Sequence, residues 1–412
     1  MARRSKESLS MGTFLPSRIS RNTPVDTDAE AGLRASIPNA SAGSRFYLPE
    51  LDTLRFFAAA AVYAHHFMPG GSYLPRYLPR LLFALVVWFS RAGWVGVPIF
   101  FCLSAYLLTA LMLREREATG AVAVKAFYAR RILRIWPLYF FFIAFASVLG
   151  IFVASQRHPL GFVAAFLLLA GNFALALKPQ TGGIIVVLWT VSIEEQFYLA
   201  WPLVVRRIGV RGLMAVAAGL FVVASISRGL MLALSVPRAF ILFSTMTCLD
   251  PMAVGILMAA ILRNRSPRIP VWGRIAIGAA AIVGLITAAN LLEINNRSFA
   301  EFALISYPMI ALCCGLLLLA TIGSAAAGLR FMRNPTLVYL GKISYGIYVY
   351  QLAAMQFARY LAGPSPGLVG YTLYAIGAAS LDVALAAASY RWLESPFLRL
   401  KENFTRVRSR PV

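Results

Sequence analysis

Two titratable side chains share one helical stretch near the start of the chain. Arg55 and His66 lie eleven residues apart in the apolar run 51–68, LDTLRFFAAAAVYAHHFM. At 100° per residue, eleven residues rotate by about 1100°, which is roughly 20° more than three full turns. Both side chains therefore lie on one face of the helix, ~16 Å apart along its axis. Charged groups inside a bilayer usually line a cavity or bind a partner. The spacing therefore predicts an anion-binding group at one depth and a base at another.

The same residues also fit a purely structural interpretation. Arg55 can extend its aliphatic stem toward the cytoplasmic headgroups, with Asp52 as an ordinary partner on the helix surface. His65 and His66 then lie at the membrane interface, next to the break at 69–71. The surroundings of this helix in the folded protein have to distinguish the two interpretations.

An acidic pair lies inside a second apolar stretch. Glu194 and Glu195 adjoin within residues 184–205, which contain no Lys or Arg. Glu194 shares a helix face with Tyr198 and Trp201, because the spacing is i, i+4, i+7. A carboxylate at membrane depth requires a distant cation or a protonated partner. The alternative is an acidic pair at the interface, in contact with water.

The connection over residues 114–134 is the most basic part of the chain. Arg134 lies four residues after Arg130 and three residues after Arg131, so a helical conformation places the three on one side. Forked guanidinium donors bind phosphate better than ammonium groups do, which predicts a phosphate-binding patch. The alternative is that these charges only mark a cytoplasmic loop.

Composition places all of these residues in a membrane protein. The 412 residues are 59% hydrophobic and 13% charged, against about 25% charged in soluble domains. The net charge of +23 does not indicate nucleic-acid binding, because Lys and Arg cluster between apolar runs and at both ends. The four cysteines lie in apolar runs without metal-ligand spacing, so we expect packing residues and no metal.

The apolar runs predict an all-α polytopic protein with about ten spans and both termini in the cytoplasm. Residues 1–47 are expected to be a disordered tail, 48–398 the membrane domain, and 399–412 a second basic tail. Two pieces are expected to be amphipathic or re-entrant: 81–92, which Gly93 and Gly96 separate from the next helix, and 160–177, which Gly171-Asn172 interrupts. The spans themselves are predicted at about 51–68, 94–113, 135–154, 184–205, 212–235, 240–262, 271–292, 302–322, 337–361 and 368–393.

Five short segments, in order, carry a family resemblance. They are Leu51-Asp52-x-Leu54-Arg55 with His66 eleven residues on, Gly93 to Ser104, Arg130-Arg131-x-x-Arg134-Ile135-x-Pro137-x-Tyr139, Trp189 with Glu194, Phe197 and Tyr198, and Gly341 with Ser344, Tyr345 and Tyr348. Together they resemble the integral-membrane acyltransferase-3 family, which O-acylates sugars and other hydroxyl-bearing molecules. Two departures stand out: Ala105-Tyr106 replaces the usual Gly-Phe, and Gln351 stands where the family often has a histidine.

The resemblance implies a bacterial inner-membrane enzyme that moves an acyl group, by family preference acetyl, from cytoplasmic acyl-CoA to a hydroxyl of a cell-envelope glycan or related acceptor. In that scheme Arg55, Arg130, Arg131 and Arg134 hold the phosphates of the donor, and His66 is the general base. Glu194 orients His66 or stabilises its imidazolium, as the carboxylate of a catalytic triad does. We expect direct transfer, with Ser104 as the weaker candidate for an acyl-enzyme.

A transporter or flippase for a polar or lipid-linked solute is the competing prediction. The same intramembrane Arg, His and Glu serve in proton relays. Transporters commonly consist of two repeated halves with broken helices at matching positions, and the sequence shows no such repeat.

Overall fold

The structure is a computed structural model that describes residues 46–67, 79–263, 265, 267–293, 296–363 and 368–404. Within these ranges the chain forms helices and turns and contains no strand, which confirms the predicted all-α class. Residues 1–45 of the predicted first tail and 405–412 of the predicted second tail lie outside the described ranges.

The described α-helices are named here in chain order. They are α1 (Pro49–Phe67), α2 (Arg80–Arg91), α3 (Gly96–Thr119), α4 (Val124–Phe152), α5 (Leu160–Leu167), α6 (Gly171–Leu177), α7 (Trp189–Arg207), α8 (Val210–Ala233), α9 (Arg238–Phe243), α10 (Leu249–Ile261), α11 (Val271–Glu293), α12 (Asn296–Thr321), α13 (Pro335–Lys342), α14 (Ser344–Ala362), α15 (Leu368–Ser389) and α16 (Ser395–Lys401).

In the described part of the chain, seven helical segments are long and apolar enough to cross a membrane, which makes this a multi-pass membrane protein. They are Arg80–Thr119, Val124–Phe152, Ile184–Arg207, Val210–Ala233, Val271–Leu292, Phe299–Thr321 and Val369–Phe404. The other three predicted spans coincide with α1, with the α9–α10 segment and with the α13–α14 segment. α1 carries Glu50, Asp52 and Arg55, so its polarity sets it apart from the seven.

Both segments predicted to be interrupted are interrupted, but the second break precedes Gly171-Asn172, which begin α6. α2 and α3 are separate helices joined by a short 3₁₀ turn over Ala92–Val95. The segment 160–177 forms two short helices, α5 and α6, with a break at 168–170. A helix of eight residues is only ~12 Å long, too short to cross the hydrocarbon core.

Three boundaries differ from the prediction. α4 begins at Val124, so the arginines predicted in a loop lie on its first turns. α3 continues to Thr119 and ends at Gly120, whose φ of +77° provides a left-handed cap. The segment predicted as one helix over 337–361 is divided at Ile343 into α13 and α14.

α1 is the helix around which the site is built. It packs against α3, α13 and α14. α3 can approach α1 closely because Gly93 and Gly96 have no Cβ atom. A Cβ on Gly93 would lie 2.1 Å from the carbonyl oxygen of Ala61, and a Cβ on Gly96 would lie 2.2 Å from the carbonyl oxygen of Ala58. The Gly93–Gly96 spacing therefore marks a contact between two helices and fixes the backbone of α3 beside α1.

A third glycine supports the same helix and gives a stability prediction. A Cβ on Gly341 would lie 1.9 Å from the carbonyl oxygen of Asp52. Because the Asp52 atoms that this Cβ would meet belong to the backbone and cannot rotate away, we expect Gly341→Val to separate α13 from α1. The free energy of unfolding should fall by at least ~1–3 kcal/mol. Fluorescence-detected size-exclusion chromatography after heating measures the loss of folded protein.

Gly377 supplies the matched control. A Cβ there would have no atom within 4 Å, so Gly377→Val is expected to change stability by no more than ~0.5 kcal/mol. Equal melting temperatures for the two variants would contradict the close packing of α13 on α1.

Candidate functional site

Three cavities follow one another along α1. The first, about 90 Å³, lies where α1, α3, α4, α7 and α14 meet. A vestibule of about 80 Å³ shares Arg55, Ser104, Arg131 and Arg134 with it. A second cavity, about 350 Å³, contains His66 at the other end of α1.

Positive charge is concentrated in the first cavity. Arg55 lines it from α1, and Arg131 and Arg134 line it from α4. Among the described lining residues Glu194 is the one acidic side chain. Three guanidinium groups around one carboxylate leave an excess of positive charge, which suits a ligand with several anionic oxygens.

The position of Arg55 decides between the two interpretations of α1. Its Nη1 lies 4.0 Å from Oδ1 of Asp52, the partner expected on the helix surface. The Tyr47 hydroxyl also donates to Oδ2 of Asp52, at 2.8 Å. The guanidinium nevertheless lines both the first cavity and the vestibule. Arg55 therefore lies at a cavity wall within the bundle, with Asp52 as its neighbour on the same helix.

Arg130 differs from its two neighbours. Its Nη2 lies 3.1 Å from Oε2 of Glu115, and its Nη1 donates to the carbonyl oxygen of Phe404 at 2.8 Å. These contacts tie α4 to α3 and to the end of the described chain. The structure brings Arg131 and Arg134 to Arg55, while Arg130 lies outside the lining of the first cavity.

Glu194 belongs to a chain of polar groups in the first cavity. The hydroxyl of Tyr198 forms a short hydrogen bond with that of Ser104, and the same tyrosine side chain hydrogen-bonds Glu194. Arg55 and Arg131 are among the charges that surround this carboxyl. His66 lines the second cavity instead, so the expected pairing of Glu194 with His66 is not formed.

The helix face predicted for α7 is confirmed. Tyr198 contacts Ser104 of α3, and Nε1 of Trp201 donates to Oγ1 of Thr109, also on α3, at 2.9 Å. Glu195 turns the other way and accepts a hydrogen bond from Nε1 of Trp136 at 3.0 Å. Of the two adjoining carboxyls, only Glu194 faces the cavity.

The structure also separates the two adjoining histidines. Nδ1 of His65 lies 3.2 Å from the carbonyl oxygen of Ser90 and 3.1 Å from that of Arg91, so this ring binds the last carbonyls of α2. Nδ1 of His66 is buried and has no hydrogen-bond partner among the described residues. Both rings line the second cavity, but only that of His65 is shown to hold two helices together.

Gln351 lies beside His66, a contact that sequence reasoning did not find. The glutamine is fully buried, its side chain interacts with that of His66, and its Nε2 donates to the carbonyl oxygen of Tyr348 at 3.0 Å. Its Oε1 has no partner in the described part of the chain. Gln351, at the position where the family that the chain resembles often has a histidine, therefore lies next to His66.

This contact predicts a positioning role for Gln351. Gln351→Leu removes a hydrogen-bonding group beside His66, and we expect kcat to fall about fivefold to tenfold while KM for the donor stays unchanged. Gln351→His keeps donor and acceptor capacity and is expected to retain most of the rate. Steady-state kinetics on purified protein give both parameters, and an equal loss in the two variants would assign Gln351 to packing alone.

Three side chains separate the two cavities. Val97 and Phe101 of α3 and Tyr348 of α14 line the first cavity and also the second. We call these three residues the partition. Arg55 and His66, on one helix, thus lie on opposite sides of a wall that is a single layer of side chains thick.

Aromatic and basic residues from both ends of the chain line the vestibule. Phe46 and Tyr47 precede α1, and Lys401 ends α16. The guanidinium of Arg114 lies 4.0 Å from the ring centre of Phe46. Sequence reasoning treated Lys401 only as part of a basic tail, because nothing in the order of residues places residue 401 beside residue 55.

A buried ion pair beside the second cavity was also missed. Arg228 of α8 donates to Oδ1 of Asp250 at 3.0 Å and to the carbonyl oxygen of Thr247 at 2.7 Å, and both charged side chains are at most 1% exposed. Thr247 lines the second cavity, so the pair supports its wall. The sequence does contain a signal for this pair, because Arg228 and Asp250 are charged residues inside apolar runs, where a charge usually has a partner.

The four cysteines are free thiols, three of them buried and Cys248 half-buried. Within the described ranges, no three His, Cys, Asp or Glu side chains lie together as a metal site. The absence of a metal cofactor stays a prediction.

Comparison with known proteins gives a family and several relatives. The family model for the acyltransferase-3 acyltransferase domain matches residues 48–389, which are nearly the predicted membrane domain. A protein of Staphylococcus aureus strain COL, named Putative O-acetyltransferase, is 26% identical over 390 residues, covering 89% of this chain and 59% of its own. O-acetyltransferase OatA of Staphylococcus aureus strain NCTC 8325 is 25% identical over 380 residues, covering 85% of this chain and 57% of its own.

The chain thus spans less than two thirds of the length of these relatives. None of the solved structures gives a significant match. The comparisons confirm the resemblance that the five segments indicated, and with it the class of enzyme at the level of the family.

Proposed function

Because the chain belongs to the acyltransferase-3 family, we propose that it is a membrane O-acyltransferase. The acyl group is acetyl, the donor is cytoplasmic acetyl-CoA, and the acceptor is a hydroxyl of a cell-envelope glycan or related molecule. The names of the two relatives support the acetyl group. The observation that carries the proposal is the arrangement along α1: three arginines in one cavity, His66 in the next, and one layer of side chains between them.

The first cavity and the vestibule bind the phosphates of the donor. Arg55, Arg131 and Arg134 line both, and bidentate guanidinium groups bind phosphate oxygens strongly. Arg130 takes part only indirectly, through its ion pair with Glu115 beside Arg131. Glu194 and Tyr198 keep the guanidinium groups in place and limit their repulsion.

The second cavity receives the acceptor hydroxyl and the thioester. His66 takes the hydroxyl proton as the acceptor oxygen bonds to the thioester carbonyl carbon. The carbon–sulfur bond then breaks, and the CoA sulfur recovers the proton from the imidazolium. An imidazole suits both transfers because a ring nitrogen can accept a proton and return it. Direct transfer needs no acyl-enzyme, and Ser104 serves in the hydrogen-bonded chain with Tyr198.

The topology follows from the same charges. Arg114, Arg131 and Lys401 gather at the vestibule end of the molecule, and basic residues favour the cytoplasmic side. We therefore place the vestibule in the cytoplasm and His66 toward the opposite side of the bacterial inner membrane. Ten spans, comprising the seven apolar segments and three more polar ones that include α1 and α14, put both termini in the cytoplasm.

The test uses the whole protein in proteoliposomes with radiolabelled acetyl-CoA and a cell-envelope extract. Label is expected in a glycan or another hydroxyl-bearing product, and mild alkali is expected to release it, as for an ester. The matched control adds donor labelled in the adenine ring, which should leave the product unlabelled. Solute uptake without label transfer would contradict the acyltransferase proposal and support a transporter.

A further inference from the structure

On the basis of the proposed function, we propose that the partition of Val97, Phe101 and Tyr348 selects the acyl group by its width. This wall between the cavities decides which acyl groups reach His66. Its selectivity depends on how firmly the wall is held and on which part of the donor meets it first.

The partition is closed and firmly held. Val97 is 9%, Phe101 2% and Tyr348 7% exposed. The hydroxyl of Tyr348 accepts a hydrogen bond from Thr190 at 2.9 Å and donates one to the carbonyl oxygen of Val187 at 3.1 Å. These two bonds fix the tyrosine ring at the start of α7, so the tyrosine side of the wall cannot move without breaking them.

The opposite side of the partition is fixed at its backbone. Val97 and Phe101 lie one turn apart on the same face of α3. Gly96, directly before Val97, brings α3 against the carbonyl oxygen of Ala58, so this turn is held to α1. A valine in a helix has one strongly preferred rotamer. The wall can therefore open mainly by rotation of the Phe101 ring, which gives a narrow aperture.

The donor has to meet this aperture with its acyl end first. Its phosphates stay in the first cavity with Arg55, while His66 lies ~16 Å along the same helix, beyond the wall. A linear acyl chain adds length to the donor but no width, since its cross-section matches that of the arm behind it. A branch next to the carbonyl adds width at the leading end. The aperture therefore admits linear acyl groups and excludes branched ones.

The volume of the second cavity would not by itself distinguish linear from branched acyl groups. Its volume of about 350 Å³ exceeds that of either four-carbon acyl group. Butyryl and isobutyryl have the same atoms and differ only in branching, so the ratio of their transfer rates reports the width of the route. Because the ratio is measured within one preparation, the amount of folded protein cancels.

The experiment measures kcat/KM for butyryl-CoA and isobutyryl-CoA with the full chain in proteoliposomes. We expect the wild type to prefer butyryl by about tenfold or more, the size of effect that one misplaced methyl group has in a tight passage. Val97→Ala removes two methyl groups from the partition and is expected to reduce this preference about fivefold or more. Phe101→Leu is expected to act in the same direction.

Two matched valines serve as controls. Val191 lines the first cavity alone and Val186 the second alone, so Val191→Ala and Val186→Ala make the same chemical change away from the partition. Both are expected to keep the wild-type preference. A reduction in Val186→Ala equal to that in Val97→Ala would place the selection in the acceptor cavity and overturn the inference.

The remaining outcomes separate this inference from the proposed function. Wild-type protein that transfers acetyl, butyryl and isobutyryl equally well remains an acyltransferase, and the width filter is then wrong. Protein that transfers no acyl group, while acetyl-CoA and acceptor are both present, refutes the proposed function itself.

Discussion

Replacing His66 by alanine is expected to lower the rate of acetyl transfer by about 10²- to 10⁴-fold, the usual contribution of a general base. The reason is the position of the ring: it lines the second cavity, and its Nδ1 has no hydrogen-bond partner among the described residues. Because we propose that the donor phosphates bind in the first cavity, the affinity for CoA should remain. Label transfer from acetyl-CoA and equilibrium binding of CoA measure the two quantities separately.

His65 gives the matched control for this prediction. The two histidines adjoin in the sequence, but His65 binds the carbonyl oxygens of Ser90 and Arg91 at the end of α2. His65→Ala is expected to lower the free energy of unfolding by about 1 kcal/mol, the usual effect of a lost hydrogen bond. It should leave the turnover per folded molecule nearly unchanged. A His66→Ala variant with normal turnover would end the role of His66 as base.

The second large effect is expected from the arginines of the first cavity. Arg131→Ala combined with Arg134→Ala removes two of the three guanidinium groups that line it. Hydrogen bonds to charged groups contribute about 1.5–3 kcal/mol each, so KM for acetyl-CoA should rise by about 10²-fold or more, with a smaller change in kcat. Initial rates over a range of donor concentrations, normalised to folded protein, give both constants.

Arg130 provides the control because it lies on the same helix and differs in what it contacts. Its guanidinium pairs with Glu115 and binds the Phe404 carbonyl. Arg130→Ala should therefore reduce stability and leave KM for the donor within about threefold, since it removes no side chain that lines the first cavity. If the double variant left KM unchanged, Arg131 and Arg134 would be topology signals only.

Glu194 and His66 line different cavities and have different polar neighbours. The sequence suggested a carboxylate that orients the base, as in a triad. In the folded protein Glu194 hydrogen-bonds Tyr198 and lies among arginines, while Gln351 is the polar neighbour of His66. A neutral amide beside a base can orient the ring without adding charge to the second cavity, and Glu194 offsets part of the charge in the first.

The departure at Ala105 also has a local explanation. The family usually has glycine here, and an added methyl group has to fit between helices. Ala105 is fully buried and faces Gly255 of α10, where a Cβ would lie 3.1 Å from the Ala105 Cβ. Because Gly255 has no Cβ, α10 leaves room for the Ala105 methyl group where α3 and α10 approach closely.

The sequence by itself determined the features that depend on near neighbours along the chain. Apolar runs and periodicity set the all-α class and most helix positions, and the eleven-residue spacing placed Arg55 and His66 on one face of α1. These features are local because a helix repeats every 3.6 residues whatever surrounds it. The five segments, being matches of residue type and order, also indicated the family.

Only the tertiary structure decided which of these residues meet. Arg131 joins Arg55 while Arg130 turns to Glu115. His65 binds α2, while Nδ1 of His66 has no hydrogen-bond partner among the described residues. Tyr348 closes a wall with Val97. Each choice depends on contacts between helices that are far apart in the sequence, and neighbouring residues on one helix point about 100° apart. Small rotations and close glycine contacts therefore settle what the order of residues leaves open.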